Sequence, residues 1–396
     1  PSTPLRIDTG LVSGVRSNDG RTWSYLGIPF AAPPVGALRW RPPQPAAPWQ
    51  GVRPCDHYGP APIQHAMHDH SIMRQFSFDD PPECGTSEDC LNLNVWVPDG
   101  ALAQPAPVIV FVYGGGHRVG SGSHRVSRGD RLAARGAIVV TFNYRVGAMG
   151  YLAHPELTKE SGASGNYACL DVIAALEWVR RNISAFGGDP GRVTVAGQSA
   201  GGGAVTTLLG MESAQHLFHG AYCMSGAVNA LPTARAREFG TALAERAGVA
   251  PTRAGWSTLT EERILELQKN ETAIGLRTLT SMRTGGLPLG PTVDGDLIPR
   301  SPLKSLRHGI GGDKPFVVGS VDDEFSMAAV KAGKVLRWIP RNALLRLAGL
   351  TGDRRAAYLS DNADVAERGK ILLAGRVLTD AVFRANVLRM LDARGP

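Results

Sequence analysis

Two periods organise the apolar positions of this chain. From about residue 92 onward, short runs rich in apolar and β-branched residues stand between longer segments of helical spacing. Residues 93–97, 108–113, 137–142, 193–196, Gly220–Met224 and 315–319 are the short runs. A run with no polar alternation reads as a strand buried on both faces. Leu170, Ile173, Ala174, Leu176, Trp178 and Val179 recur at helical spacing, which predicts a helix over 170–182. Small and aliphatic residues from Ala204 to Leu209 predict another directly after the run at 193–196. Strands alternating with helices imply an α/β fold, with a mostly parallel sheet and right-handed crossovers. Residues 5–30 read as short strands, and the Pro-rich stretch 29–48 as an extended surface loop. Segments 228–290 and 325–375 read as helix-rich insertions, of the kind that form a cap. With no repeat or low-complexity linker, residues 1–396 read as one domain.

Composition narrows the class. The chain is 43% hydrophobic and 19% charged, so it can bury a sizeable core. No apolar run approaches the ~18 residues of a membrane span. The net charge is +7, spread along the chain rather than blocked, and no basic-aromatic interleaving points to nucleic acid. Pro1 stands where a Met would, which reads as a processed or trimmed end. Cys169 and Cys223 sit in apolar runs and read as buried thiols. Cys55, Cys84 and Cys90 lie in Pro- and Gly-rich loop sequence where a bridge would fit; that leans towards a secreted or periplasmic location, with a cytoplasmic one as the alternative. His65, His68 and His70 cluster, but only Asp69 joins them and no recognised ligand pattern is completed, so no metal and no other cofactor is expected.

The chemistry concentrates at Gly197-Gln198-Ser199-Ala200-Gly201. A strand before it and a helix after it supply the context of a nucleophile elbow, a strained turn that presents a serine hydroxyl over a helix N-terminus. The bland alternative is a glycine-rich turn whose serine caps the helix. Attack on a carbonyl makes an oxyanion, which needs positioned N–H donors. Tyr113-Gly114-Gly115-Gly116-His117 ends the run at 108–113. Its glycines leave backbone N–H groups bare, so Gly115 and Gly116 are donor candidates together with Ala200, the residue after the serine. From spacing alone, Asp322, Asp323 and Glu324 are equal candidates for a carboxylate that orients a histidine.

These residues resemble those of the type-B carboxylesterase and lipase family, which includes the cholinesterases and has the α/β-hydrolase fold. The similarity runs along nearly the whole chain: Tyr25-Leu26-Gly27-Ile28-Pro29-Phe30-Ala31, Ser87-Glu88-Asp89-Cys90-Leu91-Asn92, Asn143-Tyr144-Arg145-Val146-Gly147, Gly165-Asn166-Tyr167, Phe186-Gly187-Gly188-Asp189-Pro190, Thr292-Val293-Asp294-Gly295 and Thr379-Asp380-Ala381-Val382-Phe383 all match family segments. The resemblance implies a carboxylic-ester hydrolase acting on small-molecule esters, with Ser199 as nucleophile, Gly115, Gly116 and Ala200 as oxyanion hole, and Glu324 as triad acid. It implies ion pairs Arg39–Glu88 and Arg145–Asp171. It also implies a disulfide from Cys90, with Cys55 as partner and Cys84 competing, although the usual partner position after Gly59-Pro60 is not Cys.

Two site positions depart from the family. Gln198 stands where Glu usually precedes the nucleophile, and His117 stands where an aromatic residue usually follows the glycines; both are expected to face substrate. The triad histidine of the family follows well after the acid, yet the last histidine here is His308. The base is therefore expected outside these residues, together with the final sheet strands. An esterase-like binding protein without catalysis is the competing expectation.

Overall fold

The computed structural model describes residues 2–65, 84–100, 104–226, 230–272, 289–324, 326–331 and 333–395. Its strands in chain order are β1 (Leu5–Ile7), β2 (Gly10–Ser13), β3 (Val15–Arg16), β4 (Thr22–Pro29), β5 (Val52–Pro54), β6 (Asn92–Pro98), β7 (Ala106–Val112), β8 (Ile138–Phe142), β9 (Gly188–Gln198), β10 (Gly220–Met224), β11 (Leu231–Pro232), β12 (Thr292–Val293) and β13 (Phe316–Gly319). Eight of them form the central sheet, in the order β13-β10-β9-β7-β8-β6-β4-β3. The neighbours from β13 to β8 pair parallel, and β6, β4 and β3 continue the sheet antiparallel. This is the mostly parallel α/β sheet expected from the apolar runs, in the α/β-hydrolase architecture that the resemblance implied. A separate three-stranded sheet joins β1, β2 and β5.

Helices α1 (Asp130–Ala133), α2 (Gly147–Tyr151), α3 (Pro155–Ser161), α4 (Tyr167–Asn182), α5 (Ala200–Leu209), α6 (Thr233–Ala247), α7 (Arg253–Ser257) and α8 (Glu261–Thr272) follow in turn. All of α5 is buried, including Thr206 and Thr207. Their hydroxyls donate one turn back, to Gly202 O at 3.0 Å and Gly203 O at 2.8 Å, so the burial strands no polar atom. Helices fill most of the described part of 230–272 and 326–379, while 273–288 lie outside the described residues. The later segment packs its own small core of Leu345, Val365, Leu373 and Val377.

Burial enforces two ion pairs. Arg145 and Asp171 are 2% and 0% exposed; Arg145 donates to that carboxylate from its backbone N (3.0 Å), Nε (2.8 Å) and Nη2 (2.7 Å). Arg39 Nε donates to Glu88 Oε2 at 2.7 Å and Nη2 to Oε1, while Nη1 reaches Leu259 O at 2.8 Å, between α7 and α8. The Pro-rich loop differs from the surface segment expected, because Trp40 anchors it. Its indole is wholly buried, packs 6.0 Å from Trp256, and donates to Ala148 O at 3.1 Å.

The expected disulfide does not form: none of Cys55, Cys84, Cys90, Cys169 and Cys223 is bridged to another cysteine. Each candidate is committed elsewhere. Cys55 continues the small sheet, its N–H donating to Ser13 O (2.8 Å) and its carbonyl accepting from Leu26 N (2.9 Å), and burial pushes its thiol up to about 12. Cys84 Sγ donates to Gly59 O at 2.7 Å. Cys90 is buried and lines a small cavity together with Arg145, Val146 and Met149. The ground for expecting an oxidising compartment goes with the bridge. Among the described residues no helix is long and apolar enough to cross a membrane.

Candidate active site

Register places the site. Val112, Gly197, Cys223 and Val318 stand in one row across β7, β9, β10 and β13, and Gln198, Met224 and Gly319 stand in the next. The loops after these strands therefore leave the same C-terminal sheet edge, where open α/β sheets place their ligands. They carry Gly114–Gly116, Ser199, Ser225 and Glu324.

Ser199 sits at φ 56°, ψ −121°, outside the regions open to ordinary L-residues. Such a conformation costs about 1–3 kcal/mol and persists only where its surroundings enforce it. A Cβ on Gly201 would lie 2.1 Å from Val112 O, and one on Gly197 would lie 2.4 Å from Gly201 O. The helix can start this close to the strand only because both positions lack side chains. Ser199 N donates to Met224 O at 2.9 Å and its carbonyl accepts from Gly203 N at 2.9 Å. The half-buried side chain hydrogen-bonds no described group.

The triple-glycine loop lies directly against the elbow. A Cβ on Gly114 would fall 3.0 Å from Ser199 Cβ and 3.0 Å from Gln198 Oε1, so half-buried Gln198 turns towards this loop. Gly115 and Gly116 are left-handed, at φ 120° and 63°. The backbone N–H groups of Gly115, Gly116 and Ala200 donate to no described group. The start of the loop is fixed by two tyrosines stacked at 4.3 Å: Tyr113 Oη donates to Tyr144 O (3.0 Å) and Tyr144 Oη to Tyr113 O (2.8 Å).

His117, expected to face substrate, is only 2% exposed and shares a 3.0 Å hydrogen bond from Nδ1 to Tyr151 Oη. Burial pushes its pKa down to about 4. Tyr151 carried no signal of its own in the sequence; the one clue is that it follows the Asn143–Gly147 segment.

The three acidic candidates separate by their partners. Asp322 pairs with Arg384 at 2.5 Å and Arg376 at 3.7 Å. Asp323 Oδ1 accepts from Ser326 Oγ at 2.6 Å. Glu324 is half-buried, and among the described residues its Oε1 accepts one bond, from Val321 N at 3.0 Å. None of the described histidines hydrogen-bonds Ser199 or Glu324. His65 Nε2 bonds Leu265 O at 2.7 Å, and His68 and His70 lie outside the described residues. Among the described residues no group of three His, Cys, Asp or Glu could hold a metal ion.

The sheet edge thus carries a strained serine beside bare N–H groups, and comparison with known proteins gives the chain a family. The sequence profile of the Carboxylesterase family matches residues 1–341. Over 326 residues the chain is 39% identical to a fumonisin B1 esterase from Sphingopyxis macrogoltabida, covering 82% of this chain and 56% of that protein. It is 36% identical over 317 residues to the para-nitrobenzyl esterase of Bacillus subtilis (strain 168), covering 80% of this chain and 61% of the relative. Among solved structures, a PNB esterase superimposes with a TM-score of 0.77 at 31% identity, and a Geobacillus stearothermophilus carboxylesterase with 0.81 at 29%; each match covers 99% of this chain and 77% of the other. The chain belongs to the carboxylesterase family. It spans less than two thirds of the length of these curated relatives.

Proposed function

We propose that this chain carries the nucleophile, the oxyanion hole and the acid of a carboxylic-ester hydrolase. The observation that carries the reading is the strained Ser199 held beside three uncommitted N–H groups. Ser199 Oγ attacks the ester carbonyl carbon and gives its proton to a base. The carbonyl oxygen becomes an oxyanion that accepts from Gly115, Gly116 and Ala200 N–H. The C–O bond to the alcohol then breaks, and the alcohol leaves with the proton. Water repeats the sequence on the acyl-enzyme and releases the acid.

The base is a histidine from outside the described residues, oriented by Glu324. The strands that carry Ser199 and Glu324 are two apart in the sheet, about 10 Å at ordinary strand spacing, which leaves room for an imidazole between the side chains. A binding protein without catalysis has no use for the backbone strain at Ser199. Substrates are small-molecule esters, and the helical insertions around the site would form the walls that select among them.

An organophosphate probe tests the reading on the full-length protein. One adduct is expected, on the peptide containing Gly197–Gly201, with loss of p-nitrophenyl acetate hydrolysis in proportion to labelling. A label elsewhere, or none, sinks it.

A further inference from the structure

Three residues in succession, Gly115, Gly116 and His117, hold left-handed backbones at φ 120°, 63° and 62°. Glycine adopts this freely, whereas an imidazole-bearing residue does so only under constraint. The constraint comes from α2, a five-residue helix buried along its whole length. His117 O accepts from Gly147 N at 2.7 Å, at the start of α2. His117 Nδ1 meets Tyr151 Oη at 3.0 Å, at its end. The imidazole stands edge-on to the Tyr151 ring, with centroids 5.0 Å apart at 67°. Its far edge is closed by Gly290, whose Cβ, if present, would lie 3.3 Å from Cδ2.

α2 is braced from the cap side as well. Gln268, on α8 and only 4% exposed, accepts from Ala148 N through Oε1 at 2.8 Å. A Cβ on Gly147 would lie 2.6 Å from that same oxygen, so glycine is what lets the amide in.

We propose that His117 is a positioning residue for the oxyanion hole: bonded to α2 through both its carbonyl and its ring, it holds Gly115 and Gly116 with their N–H groups facing the reacting oxygen, and Gln268 carries the brace to α8. This deepens the ester-hydrolase reading and rests on it. Burial keeps the ring neutral above about pH 4 and keeps the Tyr151 phenol protonated, so a neutral donor meets a neutral acceptor. A phenylalanine would fill the same volume but leave the buried Tyr151 hydroxyl unpaired. The ring does not touch substrate. It fixes donor geometry, to which the transition state is far more sensitive than the bound ester.

The test uses the full-length protein with p-nitrophenyl acetate, counting active sites by organophosphate label. Trifluoromethyl ketone affinity reports the oxyanion contact directly. His117→Phe and Tyr151→Phe should each lower kcat per labelled site by about ten- to hundredfold, with KM within about threefold. Ketone affinity should fall by a similar factor. Gln268→Met should show the same pattern at a few-fold. Should His117→Phe fail to fold, Tyr151→Phe, which removes one oxygen, carries the test. Unchanged kcat and ketone affinity per labelled site in Tyr151→Phe would overturn the proposal, as would a rise in KM alone. If the wild-type protein takes no label at Ser199, the hydrolase reading itself has failed. Labelled but kinetically normal variants fault the brace alone.

Discussion

The loops after β7 and after β13 rise from the same edge of the same sheet, yet they are held by different physics. The β7 loop is largely buried; Gly114 and Gly115 sit where a Cβ would collide with backbone, and paired tyrosines lock its start. The β13 loop leaves an edge strand where Val317 is 59% exposed, and charge holds it: Asp322, 73% exposed at its side chain, reaches for Arg376 and Arg384. Water can replace an exposed ion pair but cannot replace interdigitated packing. The glycine-loop side of the candidate site is therefore set by the fold itself, while the β13 side depends on its surroundings.

The largest break in that comparison is Ser199→Ala in the full-length protein. The hydroxyl it removes bonds no described group, so thermal stability should hold while kcat falls by on the order of 10⁶-fold. Steady-state kinetics with calorimetry would check it, and a loss under about a hundredfold would remove Ser199 from the chemistry. Next in size is Asp171→Ala, which leaves the Arg145 guanidinium buried and unpaired. Urea unfolding should show a loss of about 3–5 kcal/mol.

The third prediction is one of pH. Burial lowers the His117 pKa from 6.5 to about 4, so below pH 6.5 the unfolded chain takes a proton that the folded one refuses. Stability from this group is intact above pH 6.5, falls as pH drops towards 4, and levels off below, for a total of about 3 kcal/mol. His117→Phe should flatten the curve of Tm against pH across that window. The smallest effect belongs to the exposed acid side. Asp322→Ala should cost under about 1 kcal/mol, and the difference should vanish in molar salt.

Much of this was legible in the sequence. Apolar runs marked β7, β8, β10 and β13, although only β8 is buried along both faces and the edge strand β13 is apolar yet partly exposed. Glycine spacing marked the elbow because the turn excludes side chains. Strand β9 begins at Gly188, earlier than its apolar run, since Gly188-Asp189-Pro190-Gly191 reads as a turn although it pairs with Ala106. Spacing alone left Asp322, Asp323 and Glu324 equal because the arginine partners of Asp322 lie more than fifty residues further on; the resemblance, not the spacing, pointed to Glu324. The brace on His117 was hidden for the same reason: Tyr151 and Gln268 reach it only through the tertiary fold. The disulfide implied by the resemblance does not form, because the position after Gly59-Pro60 that would hold the partner of Cys90 is Ala61.

The free thiols have a consequence for measuring motion. Cys55, Cys90, Cys169 and Cys223 are buried, with burial raising each pKa, so an alkylating reagent reaches them only when their surroundings open. Cys55 reports on the small sheet, Cys90 on the loop entering β6, Cys169 on the first turn of α4, and Cys223 on β10 beside the elbow strand. Half-buried Cys84 supplies a fast internal reference. Timed alkylation read by peptide mass would thus give the wild-type chain a map of regional opening rates, with no label introduced.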